Sequence, residues 1–299
     1  MLKKITILLV LLVSLCACRP SEVATSSTNK FSILSINQTP SLALLCFSNE
    51  DYPITVTSDL STIEASFDNK DVDIIIAPIN VGITKSLEND NYKLFSVLVN
   101  SDYYICSSDE AFVKGEVGVY GKGQVIEGVL NALSDDLSNY NFVYYDSLDS
   151  MHSDFENNVI EGIMLTEIDY NNYSSYKDKD VYKIEEISDV YQREYSYSDI
   201  PTFGLFVSSD VLTNYQDDFS SFTRVLRNSI SQYKNDKTTF NKVLSSANLE
   251  KLGFDNAELI SETYNYCGLD FIYAIDDYDC LNTLLSLMNI ELSEKVLVQ

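Results

Sequence analysis

The run Val72-Asp73-Ile74-Ile75-Ile76-Ala77 is nearly continuous in apolar character and stops at Pro78. A strand half-exposed to water alternates polar and apolar residues. One covered on both faces reads as an unbroken apolar stretch, typical of a parallel sheet between two helix layers. The flanking sequence agrees with that reading. Phe31 to Asn37 reads as strand, Thr39-Pro40 opens an apolar helix through Phe47, Ile54 to Ser58 is strand, and Leu60 to Phe67 is helix. Beyond Pro78 the pattern predicts a helix from Val81 to Leu87 and strands at Lys93 to Asn100 and Tyr103 to Ser107. Strand and helix alternating at this spacing build βαβ units, so the expected class is α/β.

The rhythm restarts at Glu116. Val117 to Tyr120 reads as strand, Gly121-Lys122-Gly123-Gln124 as a glycine turn, and Val125 to Leu137 as helix. Phe142 to Tyr145 is strand, Leu148 to Asn157 helix, and Gly162 to Leu165 strand. A polar stretch rich in Tyr and Asp, from Asp169 to Ser198, carries weak signals before Pro201 to Val207 returns to strand. The rest reads as a helical tail, with helices over Tyr215–Tyr233, Lys237–Ser246, Ala257–Tyr264 and Tyr278–Leu287. No repeat of 20–50 residues is visible, which excludes a solenoid.

The first residues have their own logic. Lys3 and Lys4 precede an apolar run from Ile5 to Val13, too short for the ~20 residues that span a bilayer. This is the pattern of a signal peptide over residues 1–17. Leu15-Cys16-Ala17-Cys18 resembles the bacterial lipobox, whose last cysteine is acylated and becomes the mature N-terminus. Cys18 fits because small Ala17 precedes it, whereas Cys16 follows the bulky Leu15. The resemblance implies a chain held at the outer face of the cell membrane by lipid, each buried methylene adding roughly 0.8 kcal/mol. Residues 18–29, polar and rich in Ser and Thr, read as a flexible tether.

Composition narrows the partners. The net charge of −25 opposes binding to a phosphate backbone, so no nucleic-acid partner is expected. With 45% apolar residues, the chain has enough material for a full core. Cys46, Cys106, Cys267 and Cys280 contain no CxxC pair, and His152 is the sole histidine, so the sequence offers no zinc motif. Cys267 and Cys280 flank one segment and are either a pair, which export permits, or small buried thiols.

Four segments carry a resemblance to type II periplasmic binding proteins, within the group that includes nitrate-, sulfonate- and thiamine-pyrimidine-precursor-binding proteins. They are Asp68 to Pro78, with Asn69 or Lys70 where the family usually has glycine; Val117 to Gln124; Val159 to Glu167; and Ile200 to Val207. The resemblance implies a two-lobed fold, with lobe one over 30–108 and 201–299 and lobe two over 109–200. It also implies a small-molecule ligand between the lobes, and an ABC importer whose membrane permease receives it. No cofactor is expected: Gly121-Lys122-Gly123 lacks the third glycine of a dinucleotide fingerprint at its proper spacing.

In open α/β sheets, ligands sit beyond the carboxyl ends of strands, where helix N-termini present free N–H groups. The candidate ligand residues on that ground are Gln38, Thr39 and Pro40 after the first strand; Pro78, Ile79 and Asn80 after the third; and Gly121, Gly123 and Gln124 after the first strand of lobe two. Through the resemblance, Thr166, Glu167 and Thr202 join them, with Tyr103 and Tyr104 as possible stacking rings. The rival readings are an acidic adhesin or structural lipoprotein, and an exported hydrolase. The hydrolase has no Gly-x-Ser-x-Gly elbow, and His152 reads as a surface residue of a lobe-two helix. The expected ligand is a vitamin precursor or other heterocycle, or a sulfonate-like anion.

Overall fold

The computed structural model describes residues 30–100, 103–176 and 180–299. The signal peptide, Cys16, Cys18 and the tether lie outside the described residues. Eleven described strands form two sheets. The first contains β1 (Ile33–Ile36), β2 (Ile54–Thr57), β3 (Ile74–Pro78), β4 (Tyr92–Asn100), β10 (Pro201–Ser208) and β11 (Leu269–Tyr273), in the order β2-β1-β3-β10-β4-β11. The second contains β5 (Tyr103–Ser107), β6 (Gly115–Tyr120), β7 (Tyr140–Tyr145), β8 (Gly162–Thr166) and β9 (Tyr182–Glu186), in the order β7-β6-β8-β5-β9.

The two sheets share one plan. In each, three strands run parallel: β1 with β2 and β3, and β6 with β7 and β8. Next to the third lies an antiparallel strand, β10 against β3 and β5 against β8. That antiparallel strand is the one arriving from the other lobe. β5 directly follows β4 of the first sheet, and β10 follows α7 (Ile187–Tyr195), which packs on β5 of the second. The first crossing therefore falls between Asn100 and Tyr103, rather than at the expected boundary between 108 and 109. A strand's length and apolarity do not tell which sheet it joins; the antiparallel register Tyr103↔Thr166 decides it here.

Alternation within each buried strand divides its side chains between two cores. Ile74 and Ile76 pack with Ile33, Leu42, Phe222 and Leu226 on one face, and Ile75 and Ala77 with Leu34, Phe67 and Phe206 on the other. This is why the 72–78 run has no polar face. The second sheet repeats the arrangement, with Ile105, Val117 and Val119 on one side and Cys106, Ile163 and Leu165 on the other. The helices on these faces include α2 (Leu60–Asn69), α3 (Ile79–Asn89), α4 (Val125–Ala132) and α5 (Leu148–Glu156). The stretch of weak signal folds as α6 (Glu167–Tyr176), β9 and α7.

The tail is helical, as expected, apart from β11, which pairs with β4 at the sheet edge. Its helices are α8 (Ser209–Asn214), α9 (Gln216–Asn235), α10 (Lys237–Leu244), α11 (Ala257–Thr263) and α12 (Tyr278–Ser286). On α9, Phe219, Phe222, Leu226, Ile230 and Tyr233 recur at helical spacing and are all buried. α12 spans both lobes: Leu281 and Leu285 lie in the β3–β10 core, while Leu284 lies in the core of the second sheet. Just beyond it, Met288 lies against Gly128 of α4, where a Cβ would come within 2.2 Å. Gly128 thus lets α12 approach the second lobe.

All four described cysteines are free thiols. Cys267 donates to the Tyr264 carbonyl at 3.2 Å, and burial pushes each of the four up to about 12, beyond thiolate chemistry at neutral pH. His152 is half-buried, its ring 4.8 Å from that of Tyr173.

Candidate functional site

The carboxyl ends of β1, β3, β6 and β8 point toward the gap between the lobes. Each leads into a helix: α1 (Thr39–Leu42), α3, α4 and α6, respectively. The gap holds a cavity of 40 Å³ lined by Gln38, Thr39, Pro40 and Phe203 from lobe one, and by Tyr103, Tyr120, Gln124, Leu148, Met164, Thr166 and Asp169 from lobe two. That volume admits about one or two water molecules, so the lobes are nearly closed on each other.

On the cleft side they meet through two hydrogen bonds and through the packing of α6 on α11. The Gln38 Nε2 donates to Asp169 Oδ1 at 3.0 Å. The Asn80 Nδ2 donates to the Gly123 carbonyl at 2.8 Å. Ile168, on α6 of lobe two, is buried in the apolar core of lobe one that includes Leu44 and Tyr264. Burying one such side chain favours closure by about 1.5–3 kcal/mol, whereas the two hydrogen bonds, one part-buried and one exposed, contribute less.

Local sequence explains each position. Gln38 adopts φ 67° and ψ −142°, a region that is costly for any residue with a Cβ, and so directs the chain from β1 into α1. Gly121 and Gly123 have φ of 119° and 78°, which suits glycine. Thr166 begins α6 as its cap. Its hydroxyl donates to Asp169 Oδ2 at 2.7 Å, and the Asp169 N–H donates back to the Thr166 hydroxyl at 3.3 Å. Oδ2 therefore serves the helix, while Oδ1 faces the other lobe. Asp169 retains some accessible surface through the narrow mouth, but protein encloses it and burial raises its pKa against the lowering effect of Thr166.

Of the residues expected from the sequence, Gln38, Thr39, Pro40, Gln124 and Thr166 line this cavity together. Asn80 and Gly123 meet at the rim instead. Pro78 and Ile79 are buried, Ile79 in the β3–β10 core, and the Thr202 hydroxyl donates to the Val99 carbonyl inside the sheet. Gly121 is buried against Ile126. Glu167 points away from the cleft: it accepts from Lys183 and from Asn171, and faces a separate cavity with Tyr104, Asn265 and Tyr266. Lys183 also lies 3.8 Å from the Tyr104 ring centroid, so Glu167 and Tyr104 are already engaged.

Tyr120, Leu148, Met164, Asp169 and Phe203 also line the cavity, beyond the residues expected from the sequence. Asp169 had a signal: it stands three residues after Thr166, in capping-box spacing behind a predicted strand. A larger cavity of 940 Å³ lies on the outside of lobe one, between α3, α8, α9 and the C-terminal residues Ser293 to Gln299. Only lobe one lines it, so a ligand there has no direct contact with lobe two and no direct leverage on closure.

This architecture is found in solved structures. A protein from Parabacteroides distasonis described as an ABC transporter superposes with TM-score 0.71 at 13% identity, covering 90% of this chain and 95% of that one. The ligand-binding component of an ABC-type import system from Staphylococcus aureus, with zinc bound, gives 0.68 at 13%, covering 91% and 97%. The periplasmic aliphatic sulphonate binding protein of Escherichia coli gives 0.67 at 8%, covering 90% and 92%. The chain has the two-lobed periplasmic binding protein fold. In this fold the gap between the sheets of the present chain is the interlobe cleft. No family model and no curated protein matches the sequence. Among the described residues, no group of three His, Cys, Asp or Glu side chains is placed to hold a metal ion.

Proposed function

We propose that this chain is the extracytoplasmic solute-binding component of an ABC-type importer, carried at the outer face of the membrane by a lipid on Cys18. It binds a small molecule in the interlobe cleft and presents the closed form to the permease, with no catalytic step. The supporting observation is the cleft itself: strand ends from both lobes converge on one cavity, and hydrogen bonds from one lobe to the other bridge it. A ligand that bridges both lobes biases their closure, and that bias is the signal an importer needs. The descriptions of the similar structures as import components support the same reading.

At 40 Å³ the cavity is too small for an organic ligand, so binding requires the lobes to part first. A heterocycle fits the aromatic lining of Tyr103, Tyr120 and Phe203. A thermal-shift screen of vitamins, their precursors, amines, sulfonates and amino acids tests the reading. A true ligand at about a hundred times its Kd stabilises by about 2.7 kcal/mol. Stabilisation that survives Thr39→Trp, which fills the cleft, would show that binding occurs elsewhere and sink the proposal. The anchor has its own test: Cys18→Ser should release the protein from the membrane, and unchanged retention rules out lipidation at Cys18.

A further inference from the structure

Resting on the cleft reading above, we propose that the ligand carries a flat, positively charged nitrogen group, an amidinium or a protonated ring amine, held by Asp169 Oδ1. Asp169 is the one charged side chain among the described residues that line the cavity. Its Oδ2 is committed to Thr166, while Oδ1 accepts from Gln38 alone among the described partners. Among the described residues no Lys, Arg or His forms an ion pair with it. An enclosed carboxylate without a cation is unfavourable, and a cationic ligand at Oδ1 relieves that cost.

Glu167, two residues earlier, shows the ordinary solution. It is neutralised by Lys183, which also sits over Tyr104 and Tyr170. The cleft acid has been left without such a cation. The group now in place is the Gln38 side-chain amide, a neutral N–H donor on a strained backbone. A charged N–H donor in the same position adds the attraction of an ion pair to the hydrogen bond that the neutral amide already makes. Rings at Tyr103, Tyr120 and Phe203 add faces for stacking and for a cation over an aromatic ring. An anion would instead meet Asp169 with no basic side chain on the cavity wall to offset it.

Calorimetry with three flat probes of similar size tests the proposal: benzamidine, benzamide and benzenesulfonate. Each is titrated into the wild-type chain, Asp169→Asn and Gln38→Ala. Benzamidine should bind at least tenfold more tightly than benzamide, and benzenesulfonate more weakly than either. Asp169→Asn should reduce the benzamidine preference to less than threefold. Gln38→Ala, which frees Oδ1 and leaves the α6 cap intact, should widen it, so the test survives even if the Asn variant folds poorly. Benzenesulfonate binding most tightly in wild type and losing affinity in Thr39→Trp overturns the charge class and leaves the cleft reading standing. Benzamidine affinity unchanged in both variants and in Thr39→Trp overturns both. Absence of benzamidine binding to the wild type overturns the charge class.

Discussion

The two lobes meet in two different ways. On the cleft side the junction consists of Gln38–Asp169, Asn80–Gly123 and the packing of α6 on α11, with Ile168 seated among Ile260 and Tyr264. On the far side α12 is shared, with Leu281 and Leu285 in one core, Leu284 in the other, and Met288 against Gly128. The first junction includes polar pairs that can turn to water when it opens, so it separates at smaller cost. The second exchanges buried apolar surface for nothing when broken. A molecule that must open on one side and stay joined on the other is built from that contrast.

The largest effect expected is at the shared helix. Leu284→Ala removes a fully buried side chain from the second lobe's core, and should lower stability by about 2–5 kcal/mol. Urea unfolding measures it, and a loss below 0.5 kcal/mol would mean that α12 does not tie the lobes together. The cleft junction should respond otherwise. Ile168→Ala should lower global stability by about 1–2 kcal/mol, and should raise the radius of gyration of the free protein as the lobes part. An unchanged scattering profile would break the distinction between the two junctions.

The smallest effect is electrostatic and sits beside the shared helix. Burial, with repulsion from Asp199, raises the Asp277 carboxyl to about 6. The folded chain thus binds this proton more tightly than the unfolded chain, which titrates near 3.8. Stability from this group is full below that value and is lost as pH rises through about 6. Tyr191 and Cys280 also face this group, and their own titration lies far above this range. Between pH 5 and 7 the loss should be about 1 kcal/mol after allowing for solvent screening, or 2–4 °C in Tm. Asp277→Asn should flatten that limb. An identical slope in the variant would place its origin elsewhere, Asp169 being the next group with a raised pKa.

Much of the fold was readable because burial writes itself into local pattern. The unbroken 72–78 run announced a strand covered on both faces, and the spacing along α9 announced its buried stripe. Lys70 shows how a departure can be read correctly in hindsight: it ends α2 at φ 57° and ψ 38°, a left-handed position where glycine carries no penalty. Less was readable where short-range pattern is weak. α6, β9 and α7 emerge from a polar stretch whose order depends on docking against β5 and on α11, and α6 has almost no apolar periodicity of its own.

The sequence by itself determined the α/β alternation, the strand ends that open into helices, and part of the cleft lining, from Gln38 to Pro40 with Gln124. These follow from turn chemistry and periodicity within a dozen residues. Tertiary structure alone decided that β5 joins the second sheet, that α12 serves both cores, and that two acids in one helical turn have opposite circumstances. Glu167 finds Lys183, 16 positions away, whereas Asp169, beyond its bond with Thr166, finds the neutral amide of Gln38, 131 positions away across the cleft. Such pairings depend on where separate segments come to lie in space, and no local pattern of residues encodes that.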